Sequence, residues 1–393
     1  MRTERLQALM HGRYGVHAGH AVSAPGRVEL GGNHTDHNNG KVLAASVDLD
    51  MLAVAAPLDT ADLIVYSEAR GDIRIDLSDL APQPAEAGTS KALLRGIARY
   101  IQDAGFSIGG LLIVLRSDVL PGSGLSSSAA FEILLGGVFS AVYNGGSIPP
   151  VQLAKIGRRA ENNYFGKPSG LMDQLASAVG GVMAIDFAAD DPVIETVDVD
   201  LAAAGYALVI VNSRSSHADL TPAYAAIPHE MADVAAAFGV NTLREIDPGD
   251  FDRSLGRLRA LGNDRAILRA MHYFAENERV PAMLQALGEG DLKRYFALVR
   301  ASGQSSVMWL QNTRVEGQPA VQPLSVALAA SERFLAGDGA TRIQGGGFAG
   351  TIQTYVPVAR VAAYMSHMDA LFGENSCTVV HVRPEGVVIR PLS

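Results

Sequence analysis

The stretch PGSGLSSSAAFE, residues 121–132, sets a proline, two glycines and three consecutive serines directly before an apolar run. Such a stretch is either a flexible tether or a cradle for an anion. Its flanks bear on the choice. GLLIVLRSDVL (110–120) reads as a strand, and residues 129–143 read as a buried helix interrupted by Glu132. Gly122 and Gly124 permit tight turns and close approach of a ligand to the backbone. Ser126 or a neighbour can cap the helix, so that its first-turn N–H groups and its dipole face an anion. A serine hydroxyl in that turn can also ligate Mg2+ on a phosphate. An ordinary capped helix after a turn fits the same letters, so both readings stand at this point.

Two other glycine-rich segments narrow the field. QGGGFAG (344–350) matches G-x-G-x-x-G at Gly345, Gly347 and Gly350. A dinucleotide fingerprint needs a helix next, inside a βαβ unit. TIQTYVP follows instead and reads as a strand, so that reading is rejected. Gly40-Lys41 and Gly166-Lys167 lack the following Ser/Thr and the spaced glycine of a Walker A loop. APGRVELGGNHTDHNNG (24–40) gathers Arg27, Asn33, His34, Asp36, His37, Asn38 and Asn39. Fixed donors and acceptors at this density suit the hydroxyls of a sugar, although a plain polar turn fits too. A metal site at residues 34–37 has no separate ligand cluster to support it. Glu161, after Arg158-Arg159, and Asp173, at an expected helix start, are further carboxylates of interest.

Composition sets the outer limits. The chain has 393 residues, 48% hydrophobic and 19% charged, enough for two domains with a core each. A net charge of −9 without a long basic run argues against a nucleic-acid partner, and anionic ligands must be met by backbone N–H groups or a few placed cations. The single cysteine, Cys377, forms no intrachain disulfide and reads as a small core residue in a strand. The first fifteen residues lack an apolar signal core, and no run reaches the ~20 apolar residues of a membrane span. A cytoplasmic protein with no membrane partner is the expectation. Strands and helices alternate irregularly, which predicts α+β domains rather than one doubly wound sheet. A composition shift places their boundary near residue 195, giving units 1–195 and 196–393.

Together these segments resemble the GHMP kinases, the family of galactokinase, homoserine kinase, mevalonate kinase and phosphomevalonate kinase, and most of all its galactokinase branch. APGRVELGGNHTDHNNG is similar to the galactokinase signature, PGSGLSSSAAFE to the family's phosphate loop, AENNYFGKPSGLMDQ (160–174) to the segment with a metal-binding glutamate and catalytic aspartate, and QGGGFAGTIQTYV to its third glycine motif. NSRSSHADLTPAY (212–224) keeps a further spacing of that branch. The resemblance implies an N-terminal domain like ribosomal protein S5, a C-terminal ferredoxin-like domain, and an active site in the cleft between them. It implies an ATP- and Mg2+-dependent sugar 1-kinase, a galactokinase, acting on small molecules as a monomer or weak homo-oligomer. It implies that Asp173 and Arg27 serve catalysis, and that Asn33, His34, Asp36, Gly170 and Tyr224 hold the sugar. Gly122, Ser123, Gly124, Leu125, Ser126, Ser127 and Ser128 would wrap the ATP phosphates, and Ser128 and Glu161 would hold Mg2+.

Several positions depart from the branch pattern. Asn33 stands where glutamate is usual, Glu29 where asparagine is usual, His37 for a tyrosine, Ser169 for a cysteine and Pro228 for an arginine. A Pro-Glu-Leu-Asp element is replaced by VQPLSVAL (321–328). Asn33 next to the far end of the sugar would no longer repel a 6-carboxylate, which makes galacturonate or another sugar an alternative substrate. A non-catalytic sugar-sensing regulator is the reading from a different class, and the intact serine loop speaks against it.

Overall fold

The computed structural model describes residues 2–119, 122–215, 220–315 and 317–392. Its framework begins with two long antiparallel strands, β1 (His20–Gly31) and β2 (Lys41–Leu58). KVLAASVDL and MLAVAAPL, two separate runs in the sequence, form one continuous strand here. Pro25 has no N–H to give the ladder, and the pairing register shifts between Pro25 and Arg27. The N–H of Arg27 turns instead to the Leu125 carbonyl at 2.9 Å, which ties the strand to the serine-rich loop.

β3 (Asp62–Ser67), β4 (Gly71–Asp76), β5 (Gly110–Ser117), β6 (Val182–Asp186) and β7 (Val193–Val197) extend this sheet. The alternation of β5 separates its two faces. Leu111, Ile113 and Leu115 enter the main core beneath the helices Ser90–Asp103, Ser127–Tyr143, Pro150–Ala160 and Met172–Val179. Leu112 and Val114 face the other way and pack on Leu6 and Met10 of the helix Arg2–Tyr14.

The second sheet is built from β8 (Tyr206–Asn212), β9 (Ala340–Gln344), β10 (Thr351–Pro357) and β11 (Cys377–Val380), in the spatial order β11-β8-β10-β9 and antiparallel throughout. Taken in chain order that is 4-1-3-2, the ferredoxin-like arrangement. Helices Pro323–Leu335 and Val361–Phe372 cover one face through Leu324, Leu328, Tyr364 and Met368. Cys377 is buried in this layer. TIQTYVP is the strand β10, as its pattern predicts. The last strand, β12 (Val388–Pro391), goes back to the first sheet and pairs with β1. Residue 195 falls inside β7, and the main core draws Leu208, Val280, Tyr295 and Tyr355 from the second half of the chain. Among the described residues, no helix is long and apolar enough to cross a membrane.

Candidate active site

The serine-rich loop ends in a helix start of unusual form. Gly122 and Gly124 have φ of +76° and +74°, and a Cβ on Gly124 would lie 2.0 Å from Thr351 Oγ1. Only glycine lets the loop approach β10 this closely. Ser126 takes the N-cap position of helix Ser127–Tyr143 in a left-handed conformation, φ 56°. It does not cap with its side chain, contrary to the sequence expectation. The hydroxyl donates to Asp173 Oδ2 at 2.6 Å instead. The Ser126 side chain therefore leaves the first-turn N–H groups of the helix uncapped, as suits an incoming anion. Pro121 lies outside the described residues.

Asp173 sits in the first turn of helix Met172–Val179, where the positive end of the dipole favours a carboxylate. Arg27, buried on β1, grips it with Nε to Oδ1 at 2.6 Å and Nη2 to Oδ2 at 3.0 Å, and gives Nη1 to the Gly124 carbonyl at 2.6 Å. Burial alone would raise the Asp173 pKa. The Arg27 charge and the bonds from Arg27 and Ser126 outweigh it, so the carboxyl lies below its ordinary value and is ionised at neutral pH.

Glu161 is 2% exposed. Lys167 Nζ donates to its Oε1 at 2.8 Å, while Ser169 Oγ (2.6 Å) and Gln174 Nε2 (3.0 Å) donate to Oε2. Gln174 Nε2 also reaches Glu132 Oε2 at 2.9 Å. Burial, with Glu161 nearby, pushes the Glu132 carboxyl well above the usual range. The helix Pro150–Ala160 gives way to a π-helical turn, Glu161–Phe165, which Glu161 opens. Such turns recur at functional sites. Glu161 and the Ser128 hydroxyl are hard oxygen donors of the kind Mg2+ takes, and Glu161 already has a cation against it in the Lys167 ammonium.

A cavity of about 220 Å³ opens between Arg27, Asp173 and the serine-rich loop, with Lys167 on its wall. Arg27, Ser126, Ser127, Ser128, Lys167, Asp173, Tyr224, Gln344 and residues 345–347 line it. The loop after β1 approaches from the side. His34 Nε2 meets the Gly346 carbonyl at 2.9 Å, and burial lowers its pKa to about 3, so the ring is neutral. Tyr224 donates to the Gly347 carbonyl at 2.8 Å. Gly170 fits against Asp36 so closely that a Cβ would lie 1.7 Å from Oδ2. Residues 216–219 of the NSRSSHADLTPAY segment lie outside the described residues.

Asn33 is placed differently from its expectation. It is 0% exposed and does not line the cavity. Its Nδ2 donates to Glu29 Oε1 and to the Gly345 carbonyl, both at 2.9 Å, and its Oδ1 accepts from Asn312 Nδ2 at 2.7 Å. The carboxamide is thus engaged on both ends by the protein, which removes the argument for a 6-carboxylate substrate. Glu29 in turn takes Arg342 Nη2 at 2.8 Å across the two sheets. Sequence reasoning missed Lys167, Gln344, Thr351 and the Glu29–Arg342 pair. Lys167 was visible only as a Gly-Lys pair that fits no Walker loop.

The chain is similar in sequence and fold to known proteins. The GHMP kinases N terminal domain matches residues 92–181, and the galactokinase galactose-binding signature matches residues 11–57. A galactokinase of Glaesserella parasuis is 33% identical over 92% of this chain and 91% of its own. A galactokinase of Actinobacillus pleuropneumoniae is 32% identical over 92% and 90%. Lactococcus lactis galactokinase, solved in complex with galactose, has the same fold: TM-score 0.85, 23% identity, covering 99% of this chain and 100% of that one. A mevalonate kinase shares the architecture at TM-score 0.64 and 14% identity, covering 93% of this chain and 99% of that one.

Proposed function

The chain belongs to the galactokinase family of the GHMP kinases, and on that premise we propose that it transfers the γ-phosphoryl group of ATP to the C1 hydroxyl of galactose. The observation that carries the reading is the Arg27–Asp173–Ser126 cluster, which joins the sugar-signature strand, the catalytic helix and the phosphate loop in one cavity. Gly122, Ser123, Gly124, Leu125, Ser126 and Ser127 would receive the ATP phosphates on backbone N–H groups and hydroxyls. His34, Asp36, Gly170 and Tyr224 would hold the sugar, and Asn33 would brace that loop from behind. Ser128 and Glu161 would hold Mg2+, which when bound neutralises charge developing on the phosphates.

In the reaction the sugar oxygen bonds to the γ-phosphorus as the bond to the β-phosphate oxygen breaks. Phosphoryl transfer is mainly a matter of positioning and charge. Asp173 accepts the hydrogen bond of the sugar hydroxyl and orients it in line. Its lowered pKa makes it a weak base early, so it takes the proton late, once bonding to phosphorus has made that hydroxyl acidic. Arg27 holds the carboxylate ionised until then and stabilises charge on the transferring group. The test is a 31P NMR assay of the purified chain with Mg-ATP and a panel of galactose, galacturonate, N-acetylgalactosamine, arabinose and glucose. Galactose 1-phosphate is the expected main product. A higher kcat/KM for galacturonate would displace galactose, and sugar binding without any turnover would favour a regulator.

A further inference from the structure

The π-helical turn at Glu161–Phe165 ends at Gly166, φ +86°, and sends the chain back over its own start. The N–H groups of Gly166 and Lys167 both donate to the Glu161 carbonyl, at 3.0 and 3.1 Å. This fold-back carries the Lys167 ammonium onto Glu161 Oε1 at 2.8 Å. The two partners differ sharply in exposure, 53% for the Lys167 side chain and 2% for that of Glu161. The lysine lies along the cavity wall with the serine-rich loop, whereas its carboxylate is buried behind it.

Charge gives this contact a meaning. Among the described residues, the cavity is lined by two cations, Arg27 and Lys167. Arg27 has Nε and Nη2 on Asp173 and Nη1 on the Gly124 carbonyl, so it is held in place. Lys167 has a flexible four-carbon stem and a single anchor. A buried carboxylate without a counter-cation is strongly unfavourable, and the ammonium meets that need while no metal ion is bound. A polyphosphate with its divalent ion would bring the replacement cation and, at the same time, new acceptors within reach of the stem.

We propose that Lys167 is a phosphate-binding residue that exchanges partners: its ammonium neutralises Glu161 before the nucleotide and metal arrive, then passes to the phosphate oxygens. The inference rests on the kinase reading above. It assigns a role to a residue that the motif comparison leaves without one, and it makes the site able to bind ATP in the absence of metal.

The experiment is titration calorimetry of ATP in EDTA against wild type, K167M and K167R. A charge-assisted bond predicts a loss of roughly ten- to a hundredfold in metal-free ATP affinity for K167M, with K167R within a few-fold of wild type. A second readout is thermal unfolding in Mn2+ without nucleotide. The ion should raise the Tm of K167M more than that of wild type, because it no longer displaces an ammonium. Metal-free ATP affinity within twofold of wild type in K167M overturns the proposal, and so does wild type that binds ATP only with metal. K167Q serves if K167M does not fold. Wild type that binds ATP neither with nor without Mg2+ would sink the kinase reading itself, whereas normal phosphoryl transfer with an indifferent Lys167 would sink this inference alone.

Discussion

Asn33 Nδ2 donates to Glu29 Oε1 at 2.9 Å, so two of the positions where the chain departs from the signature are in contact and have exchanged residue types. One carboxylate and one carboxamide are kept, with their places reversed. The carboxylate now faces Arg342, whose guanidinium is 0% exposed and donates to both Glu29 Oε1 and the Glu29 carbonyl. N33E alone would set two buried carboxylates against each other, and E29N alone would strand Arg342. Breaking a buried pair by removing one partner is worth about 3–5 kcal/mol. The E29N/N33E double variant should be destabilised by less than the sum of the singles, with a coupling of roughly 1–3 kcal/mol. Thermal unfolding of the four proteins measures it, and additive losses would mean the two sites are independent.

Asp173→Asn keeps the shape of the site and removes the proposed proton acceptor. A positioned base contributes typically ~10²–10⁴-fold, so kcat should fall at least into that range while ATP affinity changes little. Near-normal turnover would show that Arg27 and the metal carry the reaction without it.

The pH profile follows from the same pair. Asp173 must be ionised, and Arg27 holds its pKa below the ordinary 3.8. Activity should therefore stay flat as pH falls from 7 through the normal carboxylate range. Arg27→Met removes the holding charge and leaves burial to raise the pKa. Its residual activity should then show an acid limb at higher pH than wild type, and coincident limbs would mean that Asp173 is not the titrating group.

His34 adds an acid dependence of stability at higher pH. Its folded pKa of about 3 lies below the ordinary 6.5, chiefly through burial. Between those values the unfolded chain binds the extra proton, so stability falls as pH drops from 6.5 toward 3. His34→Gln should reduce the loss of Tm between pH 7.5 and pH 5. An unchanged difference would place the acid sensitivity elsewhere.

Gly170→Ala puts a methyl group where Asp36 Oδ2 now lies, 1.7 Å from the new carbon. The carboxylate has to move, and with it the proposed sugar side of the site. KM for the sugar should rise by about tenfold or more, with a much smaller effect on KM for ATP. Equal changes in both would argue for general damage to the fold.

The parts of the site that the sequence made legible are those whose chemistry is local. The turns of 122–128 are shaped by their own glycines, and Asp173 stands at a helix start that its neighbours define. The strand after QGGGFAG was readable because TIQTYVP is rich in β-branched and aromatic residues and ends at a proline. Other features depend on partners far along the chain. Arg342 meets Glu29 across 313 positions, and no window contains both. Asn33 looked like a sugar contact because its loop is dense in polar groups, but Asn312 and Gly345, from the second sheet's surroundings, absorb its carboxamide. Ser126 looked like a cap until the approach of Asp173 gave its hydroxyl a better acceptor. Lys167 was misjudged for a different reason, since only the π-helical fold-back brings it over Glu161.

The return of β12 to the first sheet also has a consequence for biosynthesis. Ser23 of β1 pairs with Val388, and His20 with Pro391. At typical ribosomal rates Val388 emerges roughly 20–70 s after Ser23. Throughout that interval the His20–Ser23 edge of β1 lacks its partner strand, and unpaired N–H and C=O groups are the kind of surface on which nascent chains pair with one another. The strand that opens the fold is the last to be covered, so a ribosome stalled before residue 388 would leave an adhesive, unfinished sheet rather than a smaller finished domain.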